Sequence, residues 1–195
     1  MHQSDIRKLR KDLIWKASSQ GQTLTFHTTW GLFSPREIDE GSAFLLKYVS
    51  VQPDSISLDL GCGYGAIGLF LAKQSPRGKV HLVDTDFVAE EYAARNAARN
   101  HLHHVEAYLS NGLKQVPEEI IFDTVVSNIP AKVGRELLQI FFFDAKDHLK
   151  KGGKIYVVTV NGLRDFVKRH FKDIFGNYEK IKQGKTHTVA MAIKE

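Results

Sequence analysis

The sequence predicts an α/β fold of the doubly wound type, a mostly parallel seven-stranded sheet covered by helices and finished by a C-terminal antiparallel hairpin. Three observations predict it. From residue 55 to 175, short apolar runs alternate with helical patterns, as repeated β-α units require. A glycine-rich turn, Gly61-Cys62-Gly63-Tyr64-Gly65, joins the first run to the first of these helices. The last two runs, 178–183 and 186–193, are joined through Gly184 with no helix between them, which is a hairpin signal.

Along the chain, Ile6, Leu9, Leu13 and Ile14 fall at helical spacing with Arg7, Lys8, Arg10 and Lys11 on the other side. That pattern predicts an amphipathic, basic helix over 4–16. Residues 23–29 alternate like a short strand, 31–35 read as a loop and 38–48 as a helix. Strands follow at 55–60, 79–84, 104–109, 122–127 and 154–160, and helices at 66–73, 87–100, 132–149 and 162–175. Asp86 stands where the cap of the 87–100 helix belongs. Lys151-Gly152-Gly153 is a stop for the 132–149 helix. Phe141-Phe142-Phe143 lies in a helical pattern and reads as core. One domain over 1–195 is expected, with a pre-core segment at 1–50 and the core at 51–195.

No apolar run reaches the roughly 20 residues of a membrane span. The single cysteine, Cys62, forms no internal disulfide; with no leader-like segment it suits a reducing, cytoplasmic setting. The net charge is +5, unevenly spread. Residues 1–20 hold five Lys/Arg against two acids, 21–130 hold eight against thirteen, and 131–195 hold fourteen against seven. Basic ends beside an acidic middle favour a polyanionic partner such as RNA; a solvated surface is the plainer alternative.

The glycine turn admits two nucleotide readings. Gly63-Tyr64-Gly65-Ala66-Ile67-Gly68 matches the dinucleotide fingerprint, and Asp84 lies about twenty residues on, as that fingerprint asks. Tyr178 and Lys182 have the spacing of some dehydrogenases but fall in a predicted strand. The second reading also uses Asp59, two positions before the first glycine. A carboxylate there would repel a pyrophosphate, yet it suits the ammonium of an amino-acid moiety. Gly61, Gly63 and Gly65 then pass under the ligand without a Cβ in its way. Asp84 accepts hydrogen bonds from ribose hydroxyls, and Ser110-Asn111-Gly112 ends the third strand, where an amide side chain can meet the adenine edge. Together these describe S-adenosylmethionine.

D-L-G-C-G-Y-G, V-D-T-D, S-N-G-L and V-V-S-N-I-P, in that order, resemble the motifs of class I S-adenosylmethionine-dependent methyltransferases, which are Rossmann-like enzymes. Thr23-Leu-Thr-Phe, Gly31-Leu-Phe-Ser and Ile38-Asp-Glu-Gly-Ser resemble the upstream segment of the small-domain group that includes the ribosomal RNA guanine-N2 methyltransferases RsmC and RlmG. The likeness runs from about residue 22 to the C-terminus.

The resemblance implies methyl transfer to an exocyclic amino group of an RNA base, with rRNA guanine N2 as the leading acceptor. It implies cofactor contacts at Phe33, Asp59, Gly61, Cys62, Gly63, Gly65, Asp84, Asn111, Gly112 and Asn128. It implies catalytic roles for Asn128 and Pro130, in place of the family's Asn-Pro-Pro-aromatic motif. Here that motif reads Asn128-Ile129-Pro130-Ala131, without the first proline and the aromatic ring; Trp30, Phe33 or His27 is a candidate replacement for the ring. Asn128 could instead cap the following helix. Arg164, Lys168, Arg169, Lys172 and the basic N-terminal segment are candidate phosphate contacts. Dimerisation or another partner would supply the surface of the second half that ribosome-directed relatives carry. The rivals are a protein-amide or small-molecule N-methyltransferase and an inactive cofactor-binding module. His101, His103 and His104 read as a turn, and no metal site is expected.

Overall fold

The computed structural model describes residues 11–131 and 134–195. Leu13–Ser19 (β1) and Gln22–Thr28 (β2) form an antiparallel hairpin with Leu13 opposite Thr28 and Ser19 opposite Gln22. The helix expected over 4–16 is therefore corrected: 4–10 lie outside the described residues, and Leu13–Lys16 belong to a strand. In β1 burial alternates, with Leu13, Trp15 and Ala17 turned inward and Ile14, Lys16 and Ser18 outward. Gln20 (φ 49°) and Gly21 (φ 77°) both take positive φ, the geometry of a two-residue hairpin turn.

The main sheet contains Ile56–Leu60 (β3), Lys79–Asp84 (β4), Val105–Leu109 (β5), Phe122–Asn128 (β6), Leu149–Val160 (β7), Glu179–Gln183 (β8) and His187–Ile193 (β9). Their order is β5-β4-β3-β6-β7-β9-β8. The first five strands pair in parallel, and β9 pairs antiparallel with both β7 and β8. This is the expected doubly wound sheet with its terminal hairpin. β7 begins at Leu149, earlier than expected, because Gly152 (φ 78°) bends the chain and lets Leu149 pair with Phe122 across an irregular register.

The helices are Glu40–Leu46 (α1), Gly68–Gln74 (α2), Phe87–Arg99 (α3), Arg135–His148 (α4) and Arg164–Phe175 (α5). Adjacent strand residues point to opposite faces and divide the core in two. On one face Val80, Leu82, Val126 and Val158 pack with Leu45, Phe70 and Tyr92 of α1, α2 and α3. On the other, Leu58, Val83, Val125 and Val157 pack with Phe142 of α4 and with Phe171 and Phe175 of α5. Of the three consecutive phenylalanines only Phe142 is fully core; Phe143 faces solvent.

Asn96 of α3 and Asn100, which caps its C-terminus one turn on, anchor the hairpin. The Asn96 amide accepts from His27 N–H at 2.8 Å and donates to His27 O at 3.0 Å and to Tyr64 O at 3.1 Å. The Asn100 amide accepts from Thr25 N–H at 2.9 Å and donates to Thr25 O at 2.8 Å. These side chains act as a neighbouring strand would. Phe26 of β2 stacks on Trp15 and meets Tyr64 and Phe70, so the hairpin closes over the glycine loop.

The chain goes from β3 to β4 and β5 on one side, then returns to β6 on the other side of β3. Ligands of open α/β sheets bind at such a reversal, beyond the carboxyl ends of the strands. Asp59 and Val126 are paired across it.

Candidate active site

Gly61, Gly63 and Gly65 turn the chain after β3 with φ of 73°, 55° and 92°. The N–H groups of Gly61 and Cys62 both donate to Val83 O, at 2.9 and 3.0 Å, and fasten the loop to β4. A Cβ at Gly61 or Gly63 would meet nothing within 4 Å, so the space over both is open. At Gly65 a Cβ would lie 3.0 Å from Leu69, so this glycine also serves packing. Cys62 is buried, and burial pushes its thiol pKa well up, which leaves it an unreactive small side chain.

Asp59 is only 1% exposed. Its Oδ2 accepts the Gly68 N–H, at the start of α2, at 2.7 Å. Its Oδ1 is buried with no partner among the described residues. Burial raises the carboxyl to about 7, opposed by the Gly68 hydrogen bond and reinforced by the charge of Asp84. A buried carboxylate oxygen without a donor is costly and invites a ligand that brings one.

Asp84 ends β4, half-buried. Its Oδ2 accepts from Gly63 N–H at 2.8 Å and its Oδ1 from Asp86 N–H at 3.0 Å, which holds the carboxylate against the glycine loop with lone pairs to spare. Asp86 caps α3 through Val88 N–H, as expected. Ser110 N–H donates to Asp84 O at 2.9 Å and sets the next loop beside this edge. Asn111 is exposed there, while Gly112 (φ 63°) is buried where a Cβ would strike Phe141 at 2.4 Å.

Asn128 ends β6. Its Nδ2 donates to Asp39 Oδ1 at 2.9 Å and to Ser42 Oγ at 3.0 Å. Asn128 is not the cap of the following helix, since α4 starts at Arg135 with Gly134 as its cap residue. Ile129 N–H donates to Val158 O at 2.9 Å, which extends the β6–β7 ladder and orients that peptide. Pro130 and Ala131 are exposed.

The segment from Trp30 to Asp39 arches from the hairpin to α1. Pro35 O accepts from Trp15 Nε1 at 2.9 Å and from Thr28 Oγ1. Glu37 O accepts from the Tyr64 hydroxyl at 3.0 Å and from Ser34 Oγ at 2.8 Å. The arch leaves Phe33 73% and Trp30 39% exposed, with the Arg36 guanidinium 4.5 Å from the Trp30 ring centre. His27 faces Asp12 at 3.9 Å, on the hairpin.

The strands thus gather Asp59, the glycines, Asp84, Asn111 and Asn128 at one edge of the sheet. Asp39 and Ser42, which the sequence offered only as part of the Ile38-Asp-Glu-Gly-Ser segment and with no role of their own, engage Asn128 from 89 and 86 residues away. Nothing in that segment pointed from Asp39 to Asn128. Phe87, an exposed ring opening α3 three residues after Asp84, was missed as well.

The turn between β8 and β9 reaches the same edge, since His187 pairs with Val160, where β7 ends. The Asn161 amide donates to Lys185 O at 2.9 Å, and Thr186 Oγ1 donates to Glu40 of α1 at 2.6 Å. Lys182 and Lys185 are exposed on this rim, and Arg164 contacts Gln183 beside them. Lys168, Arg169 and Lys172 are exposed further along α5. Arg7, Lys8 and Arg10 lie outside the described residues.

The profile of the methyltransferase small domain family matches residues 23–191. YbxB of Bacillus subtilis is 30% identical over 145 residues, 74% of this chain and 72% of its own length. The ribosomal RNA small subunit methyltransferase C of Hamiltonella defensa is 32% identical over 177 residues, 89% of this chain and 51% of its own. The large subunit methyltransferase G of Cronobacter sakazakii is 31% identical over 189 residues, 93% and 49% respectively. Among solved structures, the T. thermophilus 16S rRNA N2 methyltransferase RsmC, in complex with AdoMet and guanosine, superposes with a TM-score of 0.84 at 27% identity. That match covers 94% of this chain and 51% of the other. The chain spans about half the length of the rRNA methyltransferases it matches.

Proposed function

From the premise that this chain belongs to the methyltransferase small domain family, we propose that it uses S-adenosylmethionine to methylate an exocyclic amino group of a ribosomal RNA base, guanine N2 foremost. One observation carries the reading. An open glycine cradle follows β3, whose Asp59 has a buried carboxylate oxygen without a partner among the described residues, and an asparagine with both amide hydrogens engaged ends the adjacent β6.

The residues fit the cofactor. Asp59 Oδ1 would receive its ammonium, Gly61 and Gly63 would lie under it, and Asp84 would take the ribose hydroxyls. Asn111 would meet the adenine, with the exposed ring of Phe87 three residues beyond Asp84. Cys62 would contribute through its backbone. S-adenosylmethionine supplies a methyl group on a sulfonium, a leaving group good enough that no covalent nucleophile is required. The protein's task is then alignment and desolvation. Asn128 Oδ1 and the Ile129 carbonyl would accept the hydrogens of the target amino group. That turns its lone pair toward the methyl and stabilises the positive charge that grows on nitrogen. Pro130 restricts the backbone beside them. The amino group loses one proton after it gains the methyl.

The name of the RsmC neighbour, an N2 methyltransferase of 16S rRNA, supports the acceptor. The exposed cations beside the site support a nucleic-acid substrate, with the cytoplasm as the place of work. Labelled-methyl transfer to total RNA, followed by nucleoside mass spectrometry, tests the proposal. N2-methylguanosine is expected; label confined to a protein or small-molecule fraction would overturn the RNA assignment, and no transfer to any fraction would favour a binding module.

A further inference from the structure

An asparagine amide is nearly symmetric in shape but not in chemistry. One end offers two hydrogens and the other two lone pairs. Flipped, Asn128 would confront a target amino group with hydrogens against hydrogens and repel it. Its usefulness therefore depends on whatever decides which end faces the substrate.

Here two residues at the start of one short helix decide it. Asp39 Oδ1 receives one Asn128 hydrogen and Ser42 Oγ the other. An ionised carboxylate only accepts, so the nitrogen end has to face Asp39. Asp39 is itself pinned, because the same oxygen accepts from Gly41 N–H at 3.0 Å and Ser42 N–H at 3.2 Å as the cap of α1. Gly41 makes room for the arrangement. A Cβ there would come within 3.1 Å of Asn128 Oδ1 and 3.3 Å of Nδ2. The helix is fixed in turn by Leu45 and Leu46 in the core and by the hydrogen bond from Thr186 to Glu40.

We propose that Asp39 and Ser42 are positioning residues that lock the Asn128 amide with its oxygen outward. The site thereby selects acceptors bearing hydrogens on nitrogen over ring nitrogens or carbonyl oxygens that offer lone pairs alone. This rests on the amino-methylation reading and adds to it the device that sets acceptor class.

The test separates locking from capping. Asp39→Ser keeps a good helix cap but is too short to hold Asn128, and Asp39→Asn keeps an oxygen of the right reach. Ser42→Ala removes the second acceptor. With labelled S-adenosylmethionine and ribosomal RNA or intact subunits, Asp39→Ser and Ser42→Ala should each lower kcat about ten-fold, the size of one lost hydrogen bond. Cofactor affinity and melting temperature should stay near wild type, and Asp39→Asn should restore most of the rate. In an Asn128→Ala background, Asp39→Ser should cost nothing further, as coupled residues behave.

A wild-type rate in both Asp39→Ser and Ser42→Ala, with Asn128→Ala impaired, would overturn this inference alone. A wild-type rate in Asn128→Ala would overturn the amino-methylation reading beneath it. Side-chain amide exchange by NMR provides a readout that needs no substrate. The Asn128 hydrogens should exchange slowly in the wild-type protein and fast in Asp39→Ser, and fast exchange in the wild type would refute the lock.

Discussion

Asp59 accepts the Gly68 N–H at 2.7 Å through one carboxylate oxygen, while the other is buried without a partner among the described residues. The carboxyl is raised to about 7, chiefly by burial. In the unfolded chain it would titrate near the ordinary value of about 4. A carboxyl raised on folding contributes stability that is fully present below the unfolded value and is lost as pH rises through the folded one. The ligand-free protein should therefore melt at a lower temperature at about pH 8 than at about pH 5.5, and Asp59→Asn should flatten that difference. S-adenosylmethionine affinity should move the other way, rising with pH through about 7 and falling at least roughly ten-fold in Asp59→Asn on the alkaline side. Calorimetric titration and melting curves at the two pH values check both halves.

The glycines of the turn should separate by role. A Cβ at Gly68 would lie 2.1 Å from Leu82 Cδ2, so Gly68→Ala overpacks the core and should cost about 1–3 kcal/mol of stability. Gly63→Ala meets open space and only a positive φ, which costs about 1–2 kcal/mol. Its larger effect should fall on cofactor affinity, since the methyl would stand where the ligand is proposed to lie. Urea denaturation beside a binding titration distinguishes the two variants.

Asn128→Ala should cut methyl transfer at least roughly ten-fold while S-adenosylmethionine affinity is largely kept, because the lost oxygen acts on the acceptor. Single-turnover rates and calorimetry, taken on the same preparation, report the two quantities separately.

Replacing Lys182 and Lys185 with glutamate should weaken RNA binding and flatten its dependence on salt. Each phosphate contact removed lowers the slope of log affinity against log salt by about 0.7–0.9. Anisotropy titrations of labelled ribosomal RNA fragments at several salt concentrations measure it. An unchanged slope would place the RNA on another surface.

The main sheet was legible because its strands carry their own local punctuation. Asp84 closes an apolar run and Gly184 divides the last two strands, whereas Gly152, read as a helix stop, lies inside β7 and hid where that strand begins. The β1 strand was not legible. Leu13 and Ile14 continue a helical spacing begun at Ile6, and only the pairing of Trp15 with Phe26 across the hairpin reveals a period of two. Asp59, Asp84 and Asn128 stood out because each lies at a strand end within a motif. Asp39 and Ser42 stood in the Ile38-Asp-Glu-Gly-Ser segment without a role, since their partner lies in another part of the chain and a hydrogen bond over that separation leaves no periodic trace. Asn96 likewise reads as one more polar residue on a helix. Its amide in fact serves two backbone groups of His27 and the carbonyl of Tyr64.

The arch from Trp30 to Asp39 is tied at Pro35 and Glu37 by four donors from β1, β2, the glycine loop and the arch itself. Its conformational entropy is therefore surrendered when the chain folds rather than when a partner arrives. Phe33 and Trp30 would meet an incoming base as finished surface, so that recognition is limited by encounter and orientation. Stopped-flow traces of RNA binding should show one phase whose rate is linear in RNA concentration, without the plateau that a slow loop closure would impose.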